Sequence, residues 1–258
     1  MNTNYEKDGY FVLKGFFGPD ELEELTCALL QFHENWKQSN AEFYGSKAVN
    51  SAYITGTKHL DEAKRQQLFC TIGSHKVMDE VCSVMPQGCA FMNTQLFFNP
   101  VNSDQKNYWH RDPQYHLSVQ EQQAALCGPE VLHFRIPLAD EPGIELIPGS
   151  HKRWDSEEEL EVRLEQNGRI NSESLSSGVT VPLEAGDLLV FSANMIHRGL
   201  YGKNRFAFDI LFCDPDPELA KFVDDDCLPD KDSLTAIENS CAFNNTIRLK
   251  DSSKTGPE

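Results

Sequence analysis

Cationic residues are scarce in this chain of 258 residues: 23 Lys and Arg stand against 40 Asp and Glu, a formal charge of -17. Such a surface repels a phosphate backbone or an anionic leaflet, so neither nucleic acid nor membrane is an expected partner. No apolar run approaches the length needed to span a bilayer, and the opening Met1-Asn2-Thr3-Asn4-Tyr5-Glu6 lacks a charged leader followed by an apolar stretch. CxxC spacing and internal repeats are absent too. The eight cysteines (Cys27, Cys70, Cys82, Cys89, Cys127, Cys213, Cys227 and Cys241) are scattered, several inside apolar runs such as Leu211-Phe212-Cys213. They read as reduced, mostly buried thiols, and a cytoplasmic location is expected.

What is present is an ordinary globular balance, 40% hydrophobic and 24% charged residues, which supports a folded core. No composition shift marks a break, so a single domain over residues 1–258 is expected. Gly9-Tyr10-Phe11-Val12-Leu13 reads as a strand and Gly18-Pro19-Asp20 as a helix entry. Leu22, Leu25, Leu29, Phe32 and Trp36 then recur at spacings of three and four, one face of a helix. Further helices are expected over 61–70 and over 74–85, the latter capped by Ser74, which makes residues from about 18 to 86 a helical part. From about residue 90 the period falls to two, with strands expected over 90–98, 107–110, 131–138, 144–147, 178–182, 187–192 and 205–213. Helices first and short strands afterwards indicate a β-sandwich or barrel core over about 90–213, buttressed on one side by helices. Residues 155–166 read as a charged surface insertion. The acidic residues of 214–258 read as a solvated extension ending in a frayed tail from Asp251.

The sharpest local signal is Tyr108-Trp109-His110-Arg111-Asp112-Pro113. Side chains two apart on a strand share a face, so His110 and Asp112 supply two cis ligands to a metal. A chance HxD is common in a chain this rich in Asp, and alone it also reads as a surface His-Asp hydrogen bond. A second segment, Glu184-Ala185-Gly186-Asp187-Leu188-Leu189-Val190-Phe191, is a turn feeding an apolar strand, and Asn194-Met195-Ile196-His197-Arg198-Gly199 follows it. A histidine just beyond a buried strand completes a two-His, one-carboxylate facial triad of His110, Asp112 and His197, leaving three positions open on Fe(II).

With these residues in place, the sequence resembles the phytanoyl-CoA dioxygenase family of Fe(II)/2-oxoglutarate oxygenases over most of its length, from about Tyr5 to Cys213. The opening Glu6-Lys7-Asp8-Gly9-Tyr10-Phe11-Val12-Leu13-Lys14-Gly15-Phe16-Phe17, followed by Asp20-Glu21-Leu22, is similar to the family's first strand and helix. Ile147-Pro148-Gly149-Ser150-His151-Lys152 is similar to its Pro-Gly-Ser-His turn. The resemblance implies a double-stranded β-helix, a cupin-like jelly roll that is mainly β with flanking helices, and iron near one mouth. It implies Fe(II) as cofactor, 2-oxoglutarate and O2 as co-substrates, and hydroxylation of a small-molecule substrate with release of succinate and CO2. Related halogenases carry a small residue where Asp112 stands, so the carboxylate favours hydroxylation; desaturation and ring formation depend on where the substrate sits.

In the family a basic residue on the strand after the distal histidine binds the far carboxylate of 2-oxoglutarate. Arg205, eight positions past His197, matches it, and its planar fork suits a carboxylate. The rival is Arg198, which is expected to point away from the pocket. Parity turns Asn93, Gln95 and Phe97 to one strand face, where relatives place polar contacts to 2-oxoglutarate; a half-exposed strand is the other reading. Arg135, alternating with Phe134 and Ile136, either meets an anionic ligand or closes a structural ion pair. Tyr115 is expected at the substrate entrance, Tyr108 and Trp109 as packing residues, and His116 and His151 as hydrogen-bonding residues. Two other readings keep the fold: a 2-oxoglutarate-independent metalloenzyme, which needs no Arg205, and a catalytically silent binding module, which needs no triad.

Overall fold

The structure is a computed structural model that describes residues 3–254. Its strands are β1 (Tyr10–Leu13), β2 (Asn50–Ala52), β3 (Ala90–Phe98), β4 (Val131–Pro137) and β5 (Glu141–Leu146), then β6 (Val179–Leu183), β7 (Leu188–Ser192), β8 (His197–Gly199) and β9 (Phe206–Cys213). The larger sheet runs β1-β7-β4-β9-β3-β2 and the smaller β6-β5-β8, with antiparallel pairing throughout. This is the expected jelly-roll architecture with flanking helices. Helix accounts for about 40% of residues and strand for about 20%, so the β character belongs to the core that carries the site and not to the residue count. Among the described residues, no helix is long and apolar enough to cross a membrane.

Strand periodicity divides the larger sheet into two chemically different faces. Leu132, Phe134 and Ile136 of β4 and Phe208, Ile210 and Phe212 of β9 join the main apolar cluster. Leu25, Leu29, Phe32 and Trp36 of the helix Pro19–Ser39 pack into that same cluster. The helices Glu62–Ile72 and His75–Val84 complete the layer, capped by Asp61 through Lys64 N–H (2.9 Å) and by Ser74 through Val77 N–H (3.3 Å). Each large apolar side chain buried here stabilises the fold by roughly 1.5–3 kcal/mol. The alternate residues, His133, Arg135 and Asp209, face the interior of the jelly roll. The fold is therefore held on one face of the sheet and the polar chemistry collects on the other.

Several expectations differ from the structure. The cysteines are not mostly buried: only Cys89, Cys213 and Cys227 are. Residues 107–110 form no strand, only the single bridge of His110 with His197, and Asp112-Pro113 opens a 3-10 turn, Asp112–Tyr115, since proline offers no N–H to a ladder. The supposed surface insertion at 155–166 contains the helix Glu157–Arg163, with Glu159 and Arg163 buried and Asp155 held between Arg111 (2.8 Å) and Arg163 (2.7 Å). Its buried charges are paired, Asp155 with Arg163 and Glu159 with Arg153, and so need no solvent. The acidic segment after Cys213 keeps most of its charges in solvent, as expected, but it is folded: Asp216, Asp224 and Asp230 cap successive short helices. The helix Cys241–Lys254 then seats Phe243 against Phe91 (4.8 Å between ring centres) and donates a hydrogen bond from Thr246 Oγ1 to Phe91 O at 2.7 Å. Of the expected tail, residues 251–254 continue that helix and 255–258 lie outside the described residues.

Candidate active site

The two histidines are set opposite each other by the backbone. His110 N–H donates to His197 O and His197 N–H to His110 O, both at 2.9 Å, which leaves the imidazole centres 4.2 Å apart. Asp112 N–H donates to Ala193 O at 3.1 Å, pinning the third side chain beside them. Asp112 Oδ1 lies 3.5 Å from His110 Nε2 and 3.6 Å from His197 Nε2. One donor atom from each of these residues falls within 4.8 Å of the others. His110 Nδ1 sits 3.1 Å from Tyr108 O and His197 Nδ1 3.0 Å from Met195 O. Each carbonyl can only accept, so the proton rides on Nδ1 and the Nε2 lone pair is turned toward the shared point. Burial pushes the His197 imidazole down to about 3 and lowers that of His110. Both are therefore neutral at neutral pH, as ligation requires. Two neutral imidazoles and one carboxylate, open on one side to a cavity, fit a divalent iron with free positions.

Behind the carboxylate runs a buried polar chain. Burial works to raise the Asp112 carboxyl, but His133 outweighs it and holds it far below the usual carboxylate range. His133 Nε2 donates to Asp112 Oδ2 at 2.6 Å while Nδ1 faces Asp209 Oδ2 at 3.2 Å. Burial disfavours the His133 cation, yet the carboxylates on either side raise its pKa to about 9. Asp209 Oδ1 in turn accepts from Arg135 Nη1 (2.9 Å), and Arg135 Nη2 and Nε bind Glu141 Oε1 (2.9 and 3.0 Å). Because His133 occupies Oδ2, Asp112 presents a single oxygen to the shared point. Replacing His133 with Phe keeps the stacking on Phe191, whose ring lies 4.5 Å away, and removes the donor. An anaerobic Fe(II) titration should then show affinity lower by about 10–100-fold; an unchanged affinity would mean that capping Oδ2 is irrelevant.

Arg205 enters the same cavity just ahead of β9. It is buried, its Nε has no hydrogen-bond partner, and the nearest carboxylate oxygen, Glu141 Oε2, is 3.9 Å away. Burial, with Arg135 beside it, pulls its pKa down to about 10, still cationic at neutral pH. The guanidinium lies between the rings of Phe97 (5.4 Å) and Tyr201 (5.3 Å), over Gly199. A Cβ added at Gly199 would stand 2.9 Å from Arg205 Cζ and closer still to Nη2. Gly199→Ala should displace the fork and weaken an anion held there by about 100-fold, the usual cost of a misplacement near 1 Å, with iron affinity unchanged. Isothermal titration with 2-oxoglutarate checks it, and equal affinities would remove Gly199 from the account.

The family profile of phytanoyl-CoA dioxygenase (PhyH) matches residues 5–205. The chain belongs to this family. No curated protein sequence matches this member of the phytanoyl-CoA dioxygenase family. Among solved structures, EctD from S. alaskensis with 2-oxoglutarate and 5-hydroxyectoine is similar at 16% identity and a TM-score of 0.59, covering 81% of this chain and 73% of that one. HygX from Streptomyces hygroscopicus with nickel and 2-oxoglutarate bound gives 14% and 0.56, covering 81% and 83%. The carbocyclase SnoK from nogalamycin biosynthesis gives 16% and 0.54, covering 83% and 82%. These likenesses establish the fold that this phytanoyl-CoA dioxygenase family chain shares with them.

The remaining expected residues divide clearly. Asn93, Gln95 and Phe97 all line the cavity, but Asn93 Oδ1 accepts the backbone N–H of Thr94 (2.7 Å) and Tyr53 (3.3 Å). Arg135 also lines it, with its fork taken by Glu141 and Asp209. Arg198 points elsewhere, onto Glu145 and the Trp109 ring. Tyr115 stands at the mouth and hydrogen-bonds Tyr108 at 2.8 Å, so Tyr108 belongs to the mouth as well. His116 packs on Phe222; His151 is buried with neither ring nitrogen partnered, contrary to its expected hydrogen bonds. Sequence reasoning missed Arg111, which stands between two ligands and turns outward to Asp155 and to Ser150 O (2.8 Å). It missed Glu141 and Asp209 too. An Arg inside HxD is the one local signal that would have prompted a search for a buried acidic partner.

Proposed function

We propose that the protein is an Fe(II)- and 2-oxoglutarate-dependent dioxygenase of the cytoplasm that hydroxylates a small molecule with release of succinate and CO2. The observation that carries this reading is the placement, on one cavity of about 820 Å³, of a His-Asp-His donor set and of a buried Arg205 whose Nε has no hydrogen-bond partner. Iron with its keto acid, when bound, supplies the activation of O2 toward a C–H bond. The chain supplies the rest. His110, Asp112 and His197 would hold the ion, with His133 keeping Asp112 to one oxygen. Arg205 would bind the far carboxylate of 2-oxoglutarate, and Phe191 and Ile144 on the cavity wall would exclude water. Free cysteines throughout the described chain support a reducing compartment.

Succinate formation from 2-oxoglutarate tests the function directly. Turnover that needs Fe(II) and disappears in His197→Ala is expected. Iron binding without any consumption of 2-oxoglutarate would point to the oxoglutarate-independent metalloenzyme, and no iron binding to the silent module.

A further inference from the structure

The cavity has a second zone, between the metal point and the solvent, whose chemistry specifies its ligand. Its buried charged lining groups are engaged: Arg135 is taken by Glu141 and Asp209. Lys221 and Glu218 at the rim pair at 2.5 Å but stay exposed to water, so they do not line the interior. On the reading proposed above, Asp112 serves the metal and Arg205 the 2-oxoglutarate. Among the described residues, no buried lining charge is left to neutralise a phosphate, a carboxylate or an ammonium that a further ligand carries inside, and a buried charge without a partner is strongly disfavoured. The chain's charge of -17 weighs further against a polyanion.

What the zone does offer is apolar. Met92, Leu211 and Leu219 form walls, and aromatic side chains crowd the mouth: Tyr53, Tyr115 and Phe222 are 46%, 51% and 44% exposed. Large apolar side chains left in water together mark a binding surface. Tyr53 is held with φ +60, a backbone state tyrosine rarely adopts, by hydrogen bonds from its N–H to Thr94 O (3.0 Å) and Asn93 Oδ1. That conformation is imposed by the β3 edge and not by the residue's preference, and it keeps the ring at the mouth. Phe222 comes from the segment after β9, beyond the family-matched residues 5–205. Ala220 and Val223 are buried on either side of it, and Lys250 of the last helix ties the segment down through Val223 O and Asp225 (2.8 Å). Phe222 thus adds to the outer wall from a part of the chain beyond the family-matched residues, while Tyr53 and Tyr115 lie within them.

We propose that this zone binds the primary substrate, and that the substrate is an uncharged, largely apolar small molecule with a planar or ring portion held against Tyr53, Tyr115 and Phe222. Free amino acids, which would have to bury both of their charges in this zone, are excluded by the same account. The inference rests on the dioxygenase reading for the roles of Arg205 and Asp112, and its test is kept apart from that reading by using binding and not turnover.

The test is a fluorescence titration of the protein with Nile red, an uncharged planar dye, performed with Fe(II) and 2-oxoglutarate under argon and again with neither. Saturable binding to one site is expected in both, weakened about tenfold or more in Phe222→Glu and Tyr53→Ala and little changed in Phe222→Leu. L-Phenylalanine should leave the dye in place. Because Phe222 and Tyr53 are exposed, an unchanged melting curve in the variants confirms that they fold. Absence of one-site binding, indifference to both Phe222→Glu and Tyr53→Ala, or displacement by the amino acid would overturn the proposal. Dye binding of the expected kind in a protein that never consumes 2-oxoglutarate would support this pocket and count against the dioxygenase reading instead.

Discussion

Asp112→Ala should abolish succinate formation and lower iron affinity by more than the roughly 100-fold that marks the upper end for losing an outer partner of a ligand. Asp112 is the one carboxylate of the donor set, so its removal takes away both a ligand and the charge that offsets the ion. Its Oδ2 also holds His133 at 2.6 Å, and without it the strongest influence raising the His133 pKa disappears. The fold should survive, because the main apolar cluster lies on the opposite face of the larger sheet. Circular dichroism matched to the parent, with no iron retained after gel filtration, is the expected pair of results. A variant that kept both iron and turnover would remove Asp112 from the site.

Arg205→Ala should raise the KM for 2-oxoglutarate by between about 30-fold and a few thousand-fold, the range that corresponds to roughly 2–5 kcal/mol for truncating one partner of a buried charged pair. Turnover at saturating 2-oxoglutarate should fall much less, because Arg205 touches none of the three ligands. Arg205→Lys should land between the two: it keeps the charge and loses the fork. Arg198→Ala supplies the contrast. Its guanidinium is committed to Glu145 and stacks on Trp109 with its carbon 4.6 Å from the ring centre, so its loss should cost stability and leave the KM alone. A KM that followed Arg198 and not Arg205 would reverse the assignment.

Some of this architecture is legible in the sequence and some is not, for physical reasons. The period of two over β3, β4 and β9 reports directly which side chains share a face, and it places Asn93, Gln95, Arg135 and Asp209 on the cavity side. Short elements carry no period, so β2 and β8, three residues each, leave no mark. The HxD pair is more instructive. Strand parity predicts that His110 and Asp112 face one way, and in the structure they converge through one β-bridge and a 3-10 turn. The grouping is visible in the sequence and its cause is not. Least legible is the chain from Asp112 to Arg205: His133 meets Asp209 across 76 positions and Arg135 meets it across 74. Nothing local distinguishes such charges from surface ones, which is also why Asp155 and Arg163 read as an exposed insertion.

The central claim is that His110, Asp112 and His197 hold iron while Arg205 orients 2-oxoglutarate on it. The most direct measurement is anaerobic addition of Fe(II) and then 2-oxoglutarate to metal-free protein, watching for the weak visible charge-transfer band of a chelated keto acid. The band should appear in the parent protein, be absent in His197→Ala, and in Arg205→Ala require far more 2-oxoglutarate to develop. Iron bound by folded parent protein with no band at any 2-oxoglutarate concentration, or a band that persists without His197, would contradict the account.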